Sequence, residues 1–389
     1  MIRNLRLTDL KPGMFIIDPG IEWTTRPYLY AANRRIRSET EIREIIDQGY
    51  QEVYVDFARS DTPPFSGHFP DQRDAGPQPT ATMAEELPAA KKIHDQSLSY
   101  ARKFMTDIRS GKLDPAPAAT VVEDIMDSLE RNPDALLSLG RLQRVDSYTH
   151  MHCVNVSILT TLFARFLGAP QAEVFTAGLA GLFHDLGKAL IPLEILNAPR
   201  KLSPEEFAVM RQHPLLGHEQ LCQISAIPED VLKGALEHHE KYNGSGYPHS
   251  LSGSGISPIG AKIGIADVYD ALSSERVYKK GLSPHKTLGI LYQLGNKEFD
   301  AAFVAQFVRM LGIYPVGSVV ELEDGWKGVV CAGNNESPAK PTVRLVLDAC
   351  GKPVPPQDRN LAAGEAAPIS KCLPDFPGIQ PARVLGLEG

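Results

Sequence analysis

Residues 237–248 read Glu237-His238-His239-Glu240-Lys241-Tyr242-Asn243-Gly244-Ser245-Gly246-Tyr247-Pro248. Neutral imidazoles are the commonest protein ligands for transition metals. Two adjacent histidines cannot share one face of a helix, because successive side chains are rotated by about 100°. They therefore belong where the backbone leaves a helix and turns around something. The Gly-Tyr-Pro triplet that follows closes that turn.

The rest of the chain supplies partners for such a centre. Of eleven histidines, eight fall between His150 and His249. His184 and Asp185 stand near the end of an apolar helix, Leu179-Ala180-Gly181-Leu182-Phe183, where a charged aspartate is costly to bury unless it is paired or binds a metal. A carboxylate there can place one oxygen on each of two ions while the neighbouring imidazole binds one of them. Lys188 follows His184 at i+4 on the same face and can reach an anionic ligand. Asp267 and Asp270 lie three apart on one face of another buried helix. A single histidine says little. His150 or His152, His184-Asp185, His213, His238-His239 and Asp267 form an ordered set on separate helices, the way metal sites are built in helical bundle cores.

Composition bounds the partners. The formal net charge is −7 and the pI about 5.9, so nothing advertises duplex nucleic acid, whose binders are usually basic. A small anion remains compatible with a local cluster of cations. Apolar residues make up 43% and charged residues 22%, ordinary for a globular protein. Five cysteines without a C-x-x-C pair argue against a disulfide framework. The first residues lack a leader-like apolar core, and no window reaches the roughly 18 apolar residues needed to span a bilayer. A reduced, cytoplasmic compartment is the expectation.

Five regions follow from pattern. Residues 1–59 read as a small mixed α/β module: strands at Met14–Asp18 and Gln51–Asp56 flank a capped helix over Ser38–Gly49. Residues 60–88, rich in Pro, Gly, Ser and Asp, read as a linker. Residues 89–141 are a helical connector, with amphipathic runs over Lys91–Ile108 and Ala118–Glu130. Residues 142–313 are helical and hold the histidines; Val154–Leu167 is apolar on most faces and so a core helix. From 314 to 389 the chain reads as a small β appendage, with strands near Gly317–Leu322, Gly328–Cys331 and Thr342–Leu347, and a loosely ordered tail.

Over residues 142–313 the chain resembles an HD-GYP domain. The resemblance is carried by Tyr148-Thr149-His150-Met151-His152, His184-Asp185-x-Gly187-Lys188, His213-Pro214-x-x-Gly217, His238-His239-Glu240, Gly246-Tyr247-Pro248 and Asp267-x-x-Asp270. It implies a mainly α fold: an HD-type helical bundle core with the small N-terminal module and β-rich appendage attached. It implies a phosphodiesterase that hydrolyses cyclic di-GMP, with pGpG or GMP as the end product, through a hydroxide bridging two divalent ions. Iron and manganese both suit the mixed N/O ligand set.

By the resemblance, His152, His184, Asp185 and Asp267 hold one ion, and Asp185 bridges to a second held by His213, His238 and His239. His152 is preferred to His150 because it keeps the family's Tyr-Thr-x-x-His spacing. Some members place a glutamate four residues before that first histidine to help hold a third metal; Tyr148 stands there, so two ions are expected. Asp185 and Lys188 take the catalytic roles. Tyr247, Arg276 and Lys279 face the substrate, and Asp270 is grouped with them as a residue that could orient a metal-bound water or a neighbouring group. Two other readings stand beside this one: a non-catalytic cyclic-dinucleotide sensor or adaptor, and a hydrolase of another nucleotide. The N-terminal module resembles a domain of uncharacterised function that often precedes HD-GYP domains in bacteria, implying regulation or contact with a protein partner. The oligomeric state is not legible.

Overall fold

The computed structural model describes residues 2–7, 10–17, 29–30, 34–47, 52–56, 79–110, 114–142, 148–274, 281–295, 297–334, 337–364, 366–373 and 376–387. Two compact units share the chain: residues 1–76, 283–289 and 311–386 form one, and residues 77–282, 290–310 and 387–389 the other.

The first unit opens with β1 (Ile2–Arg6), β2 (Phe15–Ile17), β3 (Leu29–Tyr30), β4 (Arg34–Arg35), α1 (Glu39–Asp47) and β5 (Glu52–Asp56). The sheet order is β1-β5-β2-β4, antiparallel, with β3 running parallel to β5. Ser38 caps α1, its hydroxyl accepting from the Glu41 N–H at 3.3 Å. The helix turns Ile42 and Ile45 onto a core shared with Leu7, Leu10, Met14, Ile16, Ile36, Val53 and Val55. The alternation in Val53 and Val55 puts both on the buried side of the strand.

The second unit is helical: α2 (Met83–Arg109), α3 (Ala116–Arg131), α4 (Pro133–Leu142), α5 (Tyr148–Phe166), α6 (Gln171–Phe183), α7 (Leu193–Leu196), α8 (Pro204–Met210), α9 (His213–Leu221), α10 (Glu229–Glu237) and α11 (Pro258–Ser273), with α12 (Pro284–Leu294) and α13 (Ala301–Leu311) following. Helix α2 begins inside the stretch expected to be a linker. A capping box explains it: the Thr82 hydroxyl accepts from the Glu85 N–H, and the Glu85 carboxylate accepts from the Thr82 N–H. Pro88 lies within the helix, and its presence is what made the segment resemble a loop. Buried Glu86 ties α2 to α3, accepting from Arg131 Nε at 2.6 Å and Ser128 Oγ at 2.6 Å.

Helices α5 and α6 cross closely enough for side-chain hydroxyls to reach the partner backbone. Ser157 Oγ donates to the Gly178 carbonyl at 2.8 Å and Thr160 Oγ1 to that of Ala177 at 3.1 Å. Phe163, Phe183 and Phe307 are fully buried, Phe163 meeting Phe307 edge-on at 5.2 Å. This packing fixes the ends of α5 and α6, from which the first functional side chains project.

The rest of the first unit is a five-stranded antiparallel sheet, ordered β10-β6-β7-β8-β9: β6 (Val319–Leu322), β7 (Lys327–Ala332), β8 (Thr342–Leu347), β9 (Pro353–Asn360) and β10 (Ile369–Cys372). A short helix, α14 (Pro381–Val384), follows. The tail expected to be loosely ordered thus carries two strands and a helical turn. β9 holds three prolines and β10 is short, and both are edges, where missing donors and polar side chains are tolerated.

Candidate metal centre

Three helix boundaries, a 3₁₀ turn and two helix interiors supply the candidate site. His152 lies in the second turn of α5 and Asp267 within α11. His184 and Asp185 directly follow α6, where the chain tightens into a 3₁₀ turn over Leu186–Leu190 that carries Lys188. His213 opens α9, and His238 and His239 follow the end of α10. The adjacent histidines stand where a helix ends, their ring centroids 4.2 Å apart and their planes tilted by 44°. Lys188, by contrast, is not placed by α-helical spacing, because α6 stops at Phe183.

Asp185 is the centre of the arrangement. Its Oδ2 lies 3.4 Å from His184 Nε2 and 3.5 Å from His152 Nε2. Its Oδ1 lies 3.3 Å from His213 Nε2 and 3.6 Å from His238 Nε2. Within each half the imidazoles converge, at 3.3 Å between the Nε2 atoms of His152 and His184 and 3.2 Å between those of His213 and His238. Asp267 reaches toward both, with Oδ1 3.0 Å from His152 Nε2 and Oδ2 3.8 Å from His239 Nδ1.

The hydrogen bonds decide which nitrogen is offered. Nδ1 of His184 lies 2.7 Å from the Gly181 carbonyl, that of His213 2.8 Å from Met210, and that of His238 3.0 Å from Ala235. A carbonyl can only accept, so each Nδ1 carries the proton and each Nε2 presents a lone pair inward. Asp185 Oδ1, buried and without a hydrogen-bond donor, faces two of those lone pairs. Such a cluster of acceptors is satisfied by a cation. The spacing agrees, because two donors each about 2.1 Å from one ion at right or tetrahedral angles stand roughly 3.0–3.4 Å apart. The donors of Asp185, His213, His238 and His239 lie within 4.8 Å of one another, as do those of His152, His184 and Asp185. The residues therefore fit divalent metal ions.

Electrostatics point the same way for four candidate ligands. Burial lowers His184, takes His213 down to about 4, and holds His239 well below the usual imidazole range, so these rings are neutral near pH 7. Burial opposes the charge on Asp185, but the Lys188 ammonium, 2.5 Å from Oδ2, holds it well below the ordinary carboxylate range. His152 differs. Burial alone would lower it, but Asp267 on Nε2 and Asp270 on Nδ1 raise it to about 10. In the metal-free protein it is therefore a cation, and it must lose the Nε2 proton to ligate. If His152 is a ligand, metal affinity should rise with pH toward 10, and binding at pH 7.5 should release a proton. Calorimetric titration of stripped protein with Mn²⁺, in buffers of different protonation enthalpy, should count about one proton per chain; none would remove His152 from the ligand set.

Asp270 proves to face inward. Its Oδ2 lies 2.7 Å from His152 Nδ1, while Oδ1 accepts from Asn155 Nδ2 at 2.8 Å and Ser274 Oγ at 3.0 Å. These bonds suit Asp270 to orienting the His152 ring. Asn155 went unnoticed in the sequence, though an asparagine inside the apolar run Val154–Leu167 was the available signal. His150 stands outside the converging groups. Arg276 and Lys279 lie outside the described residues, as does the side chain of Tyr148.

Tyr247 caps the second half. Its ring stacks on His239 at 4.7 Å and meets His213 edge-on at 6.4 Å. The loop that carries it is clamped by Glu240, whose two oxygens accept from the His249 N–H at 2.6 Å and the Leu251 N–H at 2.9 Å. A buried carboxylate with both oxygens engaged is expensive to disturb. Glu240→Gln turns an amide NH₂ against a backbone N–H, and about 1–3 kcal/mol of loop order should go. Hydrogen exchange over residues 243–252 should quicken by about tenfold or more while bound metal persists; unchanged exchange would mean that other contacts hold the loop.

Three family models match the chain: an HD domain over residues 125–303, a domain of unknown function (DUF3391) over 2–118, and a KOW domain associated with HD domain over 319–374. A cyclic di-GMP phosphodiesterase of Pseudomonas aeruginosa is 35% identical over 395 residues, covering 98% of this chain and 93% of that relative. A 3′3′-cGAMP-specific phosphodiesterase of Vibrio cholerae is 32% identical over 168 residues, covering 43% of this chain and 36% of the relative. Among solved structures, an HDG"Y"P protein from Bdellovibrio bacteriovorus is similar at a TM-score of 0.48 and 18% identity, over 79% of this chain and 98% of its own. Among the described residues, no helix is long and apolar enough to cross a membrane.

Proposed function

The chain belongs to the HD-GYP family of HD-domain proteins, and from that membership we propose that it hydrolyses cyclic di-GMP to pGpG, with GMP from a second cleavage, using two divalent ions, iron or manganese. His152, His184, Asp185 and Asp267 would hold one ion; Asp185, His213, His238 and His239 would hold the other. Ions held by these residues would supply a water of lowered pKa and Lewis-acid stabilisation of a phosphoryl oxygen.

The chain's own groups supply the rest. Asp185 divides its oxygens between the two halves, so the spacing of the halves is set by one rigid carboxylate. Asn155 and Ser274 hold Asp270, Asp270 holds His152, and the backbone carbonyls of Gly181, Met210 and Ala235 hold three further rings. Ligands aligned in advance need no reorganisation when charge develops. Lys188 keeps about a fifth of its side-chain surface exposed while its ammonium touches Asp185. It is placed to meet a phosphoryl oxygen as well, stabilising the charge that grows there. Burial pushes the Tyr247 phenol above its ordinary value, so the hydroxyl stays protonated as a donor to substrate.

The observation that carries this reading is Asp185, one buried carboxylate whose two oxygens face two separate histidine pairs. Incubation of iron- or manganese-loaded protein with cyclic di-GMP, followed by separation of products, tests it. pGpG or GMP is expected; neither under either metal would overturn the activity, and preferential cleavage of 3′3′-cGAMP would reassign the substrate.

A further inference from the structure

Arg211 sits in the two-residue break between α8 and α9, two positions before His213. Its N–H donates to the Phe207 carbonyl at 2.9 Å, and the His213 ring bonds the neighbouring Met210 carbonyl at 2.8 Å. The backbone that carries Arg211 is thus fixed by a candidate metal ligand. Its guanidinium carbon lies over the Tyr247 ring, 4.6 Å from the centroid, and that ring stacks on His239. The side chain is exposed, and the residues one turn away along the chain (Phe207, Ala208, Pro214 and Leu215) are all uncharged. Phe207 and Leu215 are themselves exposed apolar side chains. A guanidinium held flat on an aromatic ring keeps its N–H edge free for an anion, and the ring removes much of the rotamer freedom that binding would otherwise have to freeze.

A cyclic dinucleotide carries two phosphodiesters. One must lie at the metal centre to be cleaved; the other remains an anion that needs a partner. Resting on the proposed activity, we propose that Arg211 grips the second, non-scissile phosphate of the cyclic dinucleotide, with Tyr247 as the platform that aims it. The guanidinium suits this by its fork of donors, which matches two phosphate oxygens at once. Lysine, a point charge without the planar face, does not replace it fully.

Steady-state kinetics of manganese-loaded Arg211→Ala and Arg211→Lys test the assignment, with metal content measured on each. Cyclic di-GMP is compared with bis(p-nitrophenyl) phosphate, a phosphodiester with no second phosphate. Arg211→Ala should raise KM for cyclic di-GMP by ~10–100-fold, with the loss in KM more than in kcat. It should do so at least about tenfold more than for the small diester, with Arg211→Lys in between. Equal losses on both substrates would make Arg211 a prop for Tyr247 and overturn the proposal, as would an unchanged KM. Calorimetry with cyclic di-GMP reads the same contact without turnover. Wild-type protein that binds but does not hydrolyse would sink the activity and leave Arg211 to be judged on its Kd; wild-type protein that does neither overturns both.

Discussion

Asp185→Ala should leave a protein with no measurable phosphodiesterase activity and almost no bound metal. The side chain is fully buried, and each oxygen serves a different pair of imidazoles. Removing it takes away the shared anionic donor of both halves at once, so neither half retains its charge balance. It also strands Lys188, whose ammonium contacts Asp185 Oδ2. Breaking a buried ion pair destabilises by about 3–5 kcal/mol, less here because Lys188 keeps some contact with water. Lys188→Ala should behave differently: metal retained, with turnover down on the order of 10²–10³ if the ammonium stabilises developing charge. Elemental analysis of the two purified variants separates these roles, and equal metal loss in both would erase the distinction.

Gly187→Ala should be nearly as damaging, although glycine contributes no chemistry. A Cβ at this position would lie 1.9 Å from the His213 carbonyl oxygen and 2.5 Å from the Gly217 amide nitrogen. Both are backbone atoms of α9, so no side chain can swing aside. The 3₁₀ turn and α9 must separate, and His213 moves away from Asp185 with its helix. Displacement of a reacting geometry by about 1 Å can cost 10²-fold in rate. The variant is expected to fold, bind the second ion weakly and lose about two orders of magnitude or more in kcat/KM. Gly255→Ala is the control: nothing lies within 4 Å of its Cβ, and activity should hold. Full activity in Gly187→Ala would show that the close approach is not needed.

Much of this centre was legible because its residues are chemically unusual for where they stand. Adjacent histidines, an aspartate at the end of an apolar helix and a carboxylate inside another announce themselves against a hydrophobic background. What escaped was what depends on tertiary contact. Asn155 is one polar residue in a core helix, and only its meeting with Asp270, 115 residues away, gives it a role. Glu240 belongs to a visible motif, yet its clamp on the loop arises from two backbone amides downstream. Lys188 was read through α-helical spacing, whereas the 3₁₀ turn sets its direction and brings its ammonium to Asp185. The fold shows the same division. Periodic helices and the alternating β8 could be read directly, whereas β9, with three prolines, forms only because β8 offers it an edge.

Cleavage of a cyclic dinucleotide by a carboxylate-bridged pair of ions has a stoichiometric signature. Mn²⁺ or Fe²⁺ is added stepwise to stripped protein while bound metal and cyclic di-GMP hydrolysis are recorded in the same samples. Saturation is expected at two ions per chain, with hydrolysis appearing as the second site fills. Full activity at one ion, or hydrolysis by protein that holds no metal, would contradict it.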